Sequence, residues 1–113
     1  MDLPRWRSQL RKGAAELAVL AVIGDQEAYG IQILNRITRH DGLEITEGTL
    51  YPLLNRLQRD GKIESRWVED EGASHPRKYY RATSEGSEML DRMKAEWSRF
   101  SNGLDQLIEE ASA

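Results

Sequence analysis

Between Glu47 and Asp60 the chain reads EGTLYPLLNRLQRD, and its four leucines, Leu50, Leu53, Leu54 and Leu57, fall in one narrow stripe at about 100° per residue. The segment is therefore expected to be a helix with one buried face, leaving Tyr51, Asn55, Arg56 and Arg59 to project elsewhere. Those free side chains carry hydrogen-bonding chemistry. An Asn amide can bond adenine bidentately, and an Arg fork matches guanine or a phosphate, so Asn55, Arg56 and Arg59 are candidate readers of duplex DNA. Thr49 and Tyr51, near the helix start, are candidate phosphate contacts, assisted by the unpaired N–H groups of the first turn. The bland alternative for each Arg is a solvated helix face. What favours binding is that both lie on a helix of the right size for the major groove.

The elements around this helix must hold it in place. Thr46 is its expected N-cap and Gly61 the left-handed residue beyond its end. Pro52 removes one hydrogen bond and presses on the carbonyl of Gly48, which predicts a bend or a start as late as Thr49. Ile63 to Glu69 and Arg77 to Ala82 have the β-branched and aromatic content of strands, joined by a loop, Asp70 to Pro76, that contains Gly72, Ser74 and Pro76. Ile63 with Trp67, and Tyr80 with Ala82, are expected to cover the core, while of Tyr79 and Tyr80 one should be core and the other exposed. Arg77 and Lys78, at the base of this hairpin, are candidates for the adjacent phosphates or the minor groove. Upstream, a first helix is expected over Leu10 to Ile23, with a buried stripe of Leu10, Ala14, Leu17, Leu20 and Ala21 that Val19, Val22 and Ile23 widen until most sides are covered, stopped by Gly24 and Asp25. A second is expected from Ala28 or Tyr29 to about Arg39, burying Ile33, Leu34 and Ile37 and ending before Asp41-Gly42. Leu43 to Ile45 is expected to be extended, as a minor third strand beside the hairpin. A helix followed by a hairpin is the sequence form of a winged helix-turn-helix, so the fold class is mainly α with a small β-hairpin (α+β).

From Thr83 the pattern changes. Leu90, Met93, Trp97, Phe100, Leu104, Leu107 and Ala111 alternate in steps of three and four, the seam of a helix that seeks a partner helix, though Gly103 interrupts it. A helix of about 28 residues, at about 1.5 Å each, reaches beyond so small a core, which favours a homodimer over a helix folded back on its own domain. The expected division is a DNA-binding winged helix-turn-helix at 1–83 and a dimerisation helix at 84–113.

Composition narrows the remaining classes. The 113 residues suffice for one modest core, and the absence of cysteine excludes disulfides and thiolate metal sites. No metal site or cofactor is expected. His40 and His75 fall in turns, with no nucleophile motif or phosphate loop, so no enzyme is expected. The longest apolar run, Leu17 to Ile23, is too short to cross a bilayer, and no signal peptide opens the chain, so a cytoplasmic protein without a membrane partner is expected. The net charge is −3, but residues 1–83 carry 13 Lys and Arg against 12 Asp and Glu, while residues 84–113 carry 3 against 7. The acidic surplus thus lies in the tail. A rival reading keeps the winged helix as a protein-interaction module that does not bind DNA, as the net charge and an acidic Glu69-Asp70-Glu71 would allow.

Three runs, Glu47 to Leu57, Asp60 to Glu64 and Arg77 to Thr83, together with Gly13, Glu16-Leu17 and Tyr29-Gly30-Ile31, resemble the PadR family of bacterial transcriptional regulators over nearly the whole chain. The single short C-terminal helix is similar to that family's smaller subgroup. The resemblance implies a winged-helix domain, homodimerisation through the C-terminal helix and binding to a pseudo-palindromic, inverted-repeat operator, usually as a repressor. Some members of the family hold flat aromatic ligands at the dimer interface against an aromatic residue of the C-terminal helix, and for this chain the resemblance extends to such a planar aromatic effector as one option. Trp97 is the candidate, with Met93, Phe100 and Trp6 as neighbours; the alternative is simple seam packing. The chain departs from the family pattern in its acidic wing and in Ala82, where a larger aliphatic residue is common.

Overall fold

The computed structural model describes residues 2–112, the side chain of Asp25 aside. Four helices, α1 (Leu3–Asp25), α2 (Gly30–Thr38), α3 (Glu47–Arg59) and α4 (Ser84–Ser112), are joined by three short strands, β1 (Ala28–Tyr29), β2 (Ile63–Val68) and β3 (Arg77–Ala82). The strands form an antiparallel sheet in the order β1-β3-β2.

The core gathers Val19, Leu20 and Ile23 of α1, Ile33 and Ile37 of α2, the four leucines of α3, and Ile63 and Tyr80 of the hairpin. These positions are apolar because each lies where an amphipathic element meets the others, and together they exclude water from one contiguous cluster. The Leu stripe of α3 is buried throughout, as its spacing requires. Gly61 takes φ +77° beyond the end of α3, the left-handed conformation that glycine adopts without a Cβ penalty.

Several expectations are corrected. Helix α1 starts at Leu3 rather than Leu10, with Asp2 accepting from the Arg5 N–H as its cap and Pro4 in its first turn. Val19, Leu20, Val22 and Ile23 are buried as expected, with Ala15 and Ala18 packed beside them, but Leu10 is 47% exposed and Ala21 is exposed, because the core covers only the C-terminal half of the helix. The third strand is Ala28–Tyr29, not Leu43 to Ile45: Ala28 pairs with Tyr80 and Tyr29 with Tyr79, and α2 begins only after them. Leu43 to Ile45 is an irregular link, with Ile45 half-buried against the core. Helix α3 begins at Glu47 and carries Pro52 inside it. The carbonyl that Pro52 leaves without a donor belongs to Gly48, which is exposed and open to water. Thr46 occupies the N-cap position, but its hydroxyl bonds Thr49 Oγ1 at 3.3 Å rather than the helix backbone.

Candidate nucleic-acid interface

The outer side of α3 is where the sequence put its hydrogen-bonding residues, and Thr49, Tyr51, Asn55, Arg56 and Arg59 are all exposed there, opposite the buried leucines. They are not equally free. The Arg56 side chain, 50% exposed, donates to Glu16 of α1 at 3.3 Å, a tether across 40 positions of sequence. Arg59 donates to the neighbouring Asp60 at 3.4 Å. Exposed pairs of this kind are worth about 1 kcal/mol or less, so phosphate or base can displace either. Tyr51 is positioned more firmly. A Cβ on Gly30 would lie 2.3 Å from its hydroxyl oxygen, so the absent side chain at the start of α2 leaves the room this phenol occupies.

The wing separates its two basic candidates. In an antiparallel pair, directly opposed residues share a face, and β2 and β3 align Ile63 with Ala82, Ser65 with Tyr80 and Trp67 with Lys78. That face looks toward α3, because Ile63 and Tyr80 are buried and the Ser65 hydroxyl bonds Gln58 of α3 at 3.1 Å. Lys78 is therefore on the side that faces α3. Arg77 is on the other side: its guanidinium sits 4.5 Å from the Tyr29 ring centre and 3.7 Å from an Asp70 carboxylate oxygen.

The same reverse face accounts for part of the wing's acidity. Asp70 accepts a 3.0 Å hydrogen bond from the Tyr79 hydroxyl, which raises the Tyr79 pKa, chiefly through that hydrogen bond. Glu27 pairs with Arg66, and the hydrogen bond from Arg66 is the main reason its carboxyl titrates below the ordinary range. Arg81 pairs with Glu64 at 2.6 Å. The back of the sheet is thus a lattice of paired charges, closed by Tyr29 edge-on to Tyr79 at 5.3 Å between ring centres. Of the two tyrosines, Tyr80 is buried and Tyr79 half-buried in this lattice.

Trp67 departs from its expected place over the core. Alternation put it on the face of Ile63, which is correct, but it is 69% exposed and covers no core. The strand outruns the core, so the same face that is buried at Ile63 is bare four residues on.

At the far end of the molecule, α4 divides its seam. Leu90 and Met93 pack against the edge of the core, whereas Trp97, Phe100, Leu104 and Leu107 are exposed, joined by Ile108. Trp97 and Phe100 lie 6.0 Å apart, ring centre to ring centre. Trp6 is exposed on the first turns of α1, and no ring contact among the described residues joins it to them.

Three helices, a buried Leu stripe with a polar outer side, and a hairpin returning alongside define a winged helix-turn-helix. Residues 19–92 match the model of the transcriptional regulator PadR-like family, and the chain belongs to that family. Its proteins are DNA-binding regulators of transcription rather than enzymes. The chain is 34% identical over 82 residues to Transcriptional regulator Rv3488 of Mycobacterium tuberculosis, covering 73% of this chain and 74% of that protein. Among solved structures it is similar to a PadR family transcriptional regulator from Eggerthella lenta, at 36% identity and TM-score 0.81, covering 95% of this chain and 92% of the other. It is also similar to a PadR-like transcriptional regulator from Bacillus cereus, at 32% identity and TM-score 0.80, over 88% and 96% of the two chains. Among the described residues no helix is long and apolar enough to cross a membrane, and no cluster of His, Asp and Glu could hold a metal ion.

Proposed function

We propose that the chain is a cytoplasmic homodimeric repressor that reads a pseudo-palindromic operator through α3, with residues 1–83 as the DNA-binding domain and residues 84–113 as the dimerisation helix. The observation that carries this reading is the division of α3 into a buried Leu stripe and an exposed side bearing Thr49, Tyr51, Asn55, Arg56 and Arg59. Asn55, Arg56 and Arg59 meet base edges or the phosphates beside them, and Thr49 and Tyr51 hold backbone phosphates. Lys78 takes an adjacent phosphate from the wing; Arg77 reaches one only by leaving Asp70.

The exposed apolar seam of α4 supports dimerisation. Trp97, Phe100, Leu104 and Leu107 form a row that a second copy would bury, continuing from Leu90 and Met93 at the core edge. A two-fold dimer sets its recognition helices about 34 Å apart, one turn of DNA. Release by a planar aromatic effector stacked on Trp97, beside Phe100, Met93 and Trp6, completes the proposal, and Trp97 fluorescence titrated with such compounds tests it. Arg56→Ala should weaken operator binding by about 1–3 kcal/mol and relax base preference, whereas Lys78→Ala should weaken all sequences alike and lower the salt dependence by about one charge. Anisotropy titrations over a range of salt concentrations separate the two, and unchanged binding in both variants would overturn these assignments.

A further inference from the structure

Trp67 is the most exposed large apolar side chain in the described molecule, on an element where nothing in its own chain needs it. Its surroundings are specific. Directly across the hairpin stands Lys78, whose ammonium is 5.9 Å from the indole ring centre and 5.7 Å from that of Tyr80. Trp67 and Lys78 line one groove with Tyr51 of α3, and Arg77 and Tyr29 border the same groove from the reverse side, so the indole opens onto the same hollow as a residue of α3. The reverse face of the wing holds its acids in internal pairs, Asp70 with Arg77 and Tyr79, and Glu64 with Arg81. The wing thus has a paired, charge-neutral back and an aromatic, cationic front that continues the outer side of α3.

We infer that Trp67 joins Lys78 in contacting DNA: the indole lies against the sugar-phosphate backbone at the minor-groove edge, beside the phosphate already given to the Lys78 ammonium. The inference rests on the proposal that α3 occupies the major groove, which brings the front of the wing against the flanking backbone. A deoxyribose offers an apolar face to a flat ring, and a lysine already drawn over that ring is held where a phosphate follows. The contact carries no base information. It supplies affinity from a wing whose tip, with Glu69 and Glu71 exposed, is the wrong sign to do so.

The test uses the full-length protein labelled with 5-fluorotryptophan and two duplexes, an operator selected from random DNA and an unrelated sequence. The Trp67 resonance is assigned by its absence in Trp67→Phe. It should shift when either duplex is added, Trp67→Ala should weaken both by a similar factor of about ten, and Trp67→Phe should restore most of the loss. A Trp67 resonance unmoved by DNA to which the wild type binds would overturn the inference, whatever the affinity of Trp67→Ala. So would a variant that binds as the wild type does. The underlying proposal is read separately: if Arg56→Ala still weakens operator binding, the role of α3 stands while that of Trp67 falls, and if the wild type binds neither duplex, both fall. Trp67→Asp separates DNA from a protein partner in the same assay, because a carboxylate against the backbone should lower affinity below that of Trp67→Ala.

Discussion

Tyr51 and Gly30 act as one unit. The phenol lies where a Cβ on Gly30 would be, and because the clash is with the far end of a side chain, Gly30→Ala should displace Tyr51 rather than unfold the domain. Its melting temperature is expected to stay within about 4 °C of the wild type, equivalent to about 1 kcal/mol at most, while operator affinity falls several-fold. Calorimetry and anisotropy on the same preparation check this. A large loss of stability would mean that the glycine serves the core instead. Neither this pairing nor the Arg56 to Glu16 tether was legible in the sequence, since each joins residues far apart in the chain with no local signal. The outer residues of α3 were legible, because helical periodicity assigns faces from spacing alone. Trp67 marks the limit of that logic: alternation gives the face of a strand but not where the core beneath it ends.

At the scale of elements, hydrogen bonds through Thr83 tie the start of α4 to the α3–β2 turn. The single hydroxyl proton of Thr83 is shared between the carbonyls of Gly61 at 2.7 Å and Lys62 at 3.1 Å, and its oxygen accepts from the Gly86 N–H at 3.1 Å. A Cβ on Gly86 would lie 1.9 Å from the Lys62 carbonyl oxygen, a backbone atom that cannot swing aside. Gly86→Ala should therefore cost at least about 2 kcal/mol, read as a lower denaturant midpoint with an unchanged slope. A neutral effect would show that α4 can shift away from the α3–β2 turn. Helix types and order were visible in the sequence, whereas the third strand was not. Two residues are too few for an alternation pattern, and Ala28–Tyr29 became a strand only because β3 offered an edge and Tyr79 a ring for Tyr29 to pack on.

The whole molecule is longer than its core explains. Its radius of gyration is 16.3 Å, against about 13 Å for a compact domain of this length, and its longest extent is 57 Å. The excess is largely α4, whose 29 residues span about 43 Å and leave Trp97 to Ile108 outside the fold. A second copy covering that row gives the two recognition helices one fixed spacing, so dimerisation and operator symmetry are a single claim. The seam repeat was legible in the sequence; its division into a part that packs on the home domain and a part left bare was not, because both parts have the same spacing. The most direct measurement is selection of bound sites from random duplex DNA with the purified full-length protein. A two-fold dimer of this chain should enrich an inverted repeat with half-site centres about 10 base pairs apart. Enrichment of a single half-site, or no enrichment over the starting pool, would contradict it.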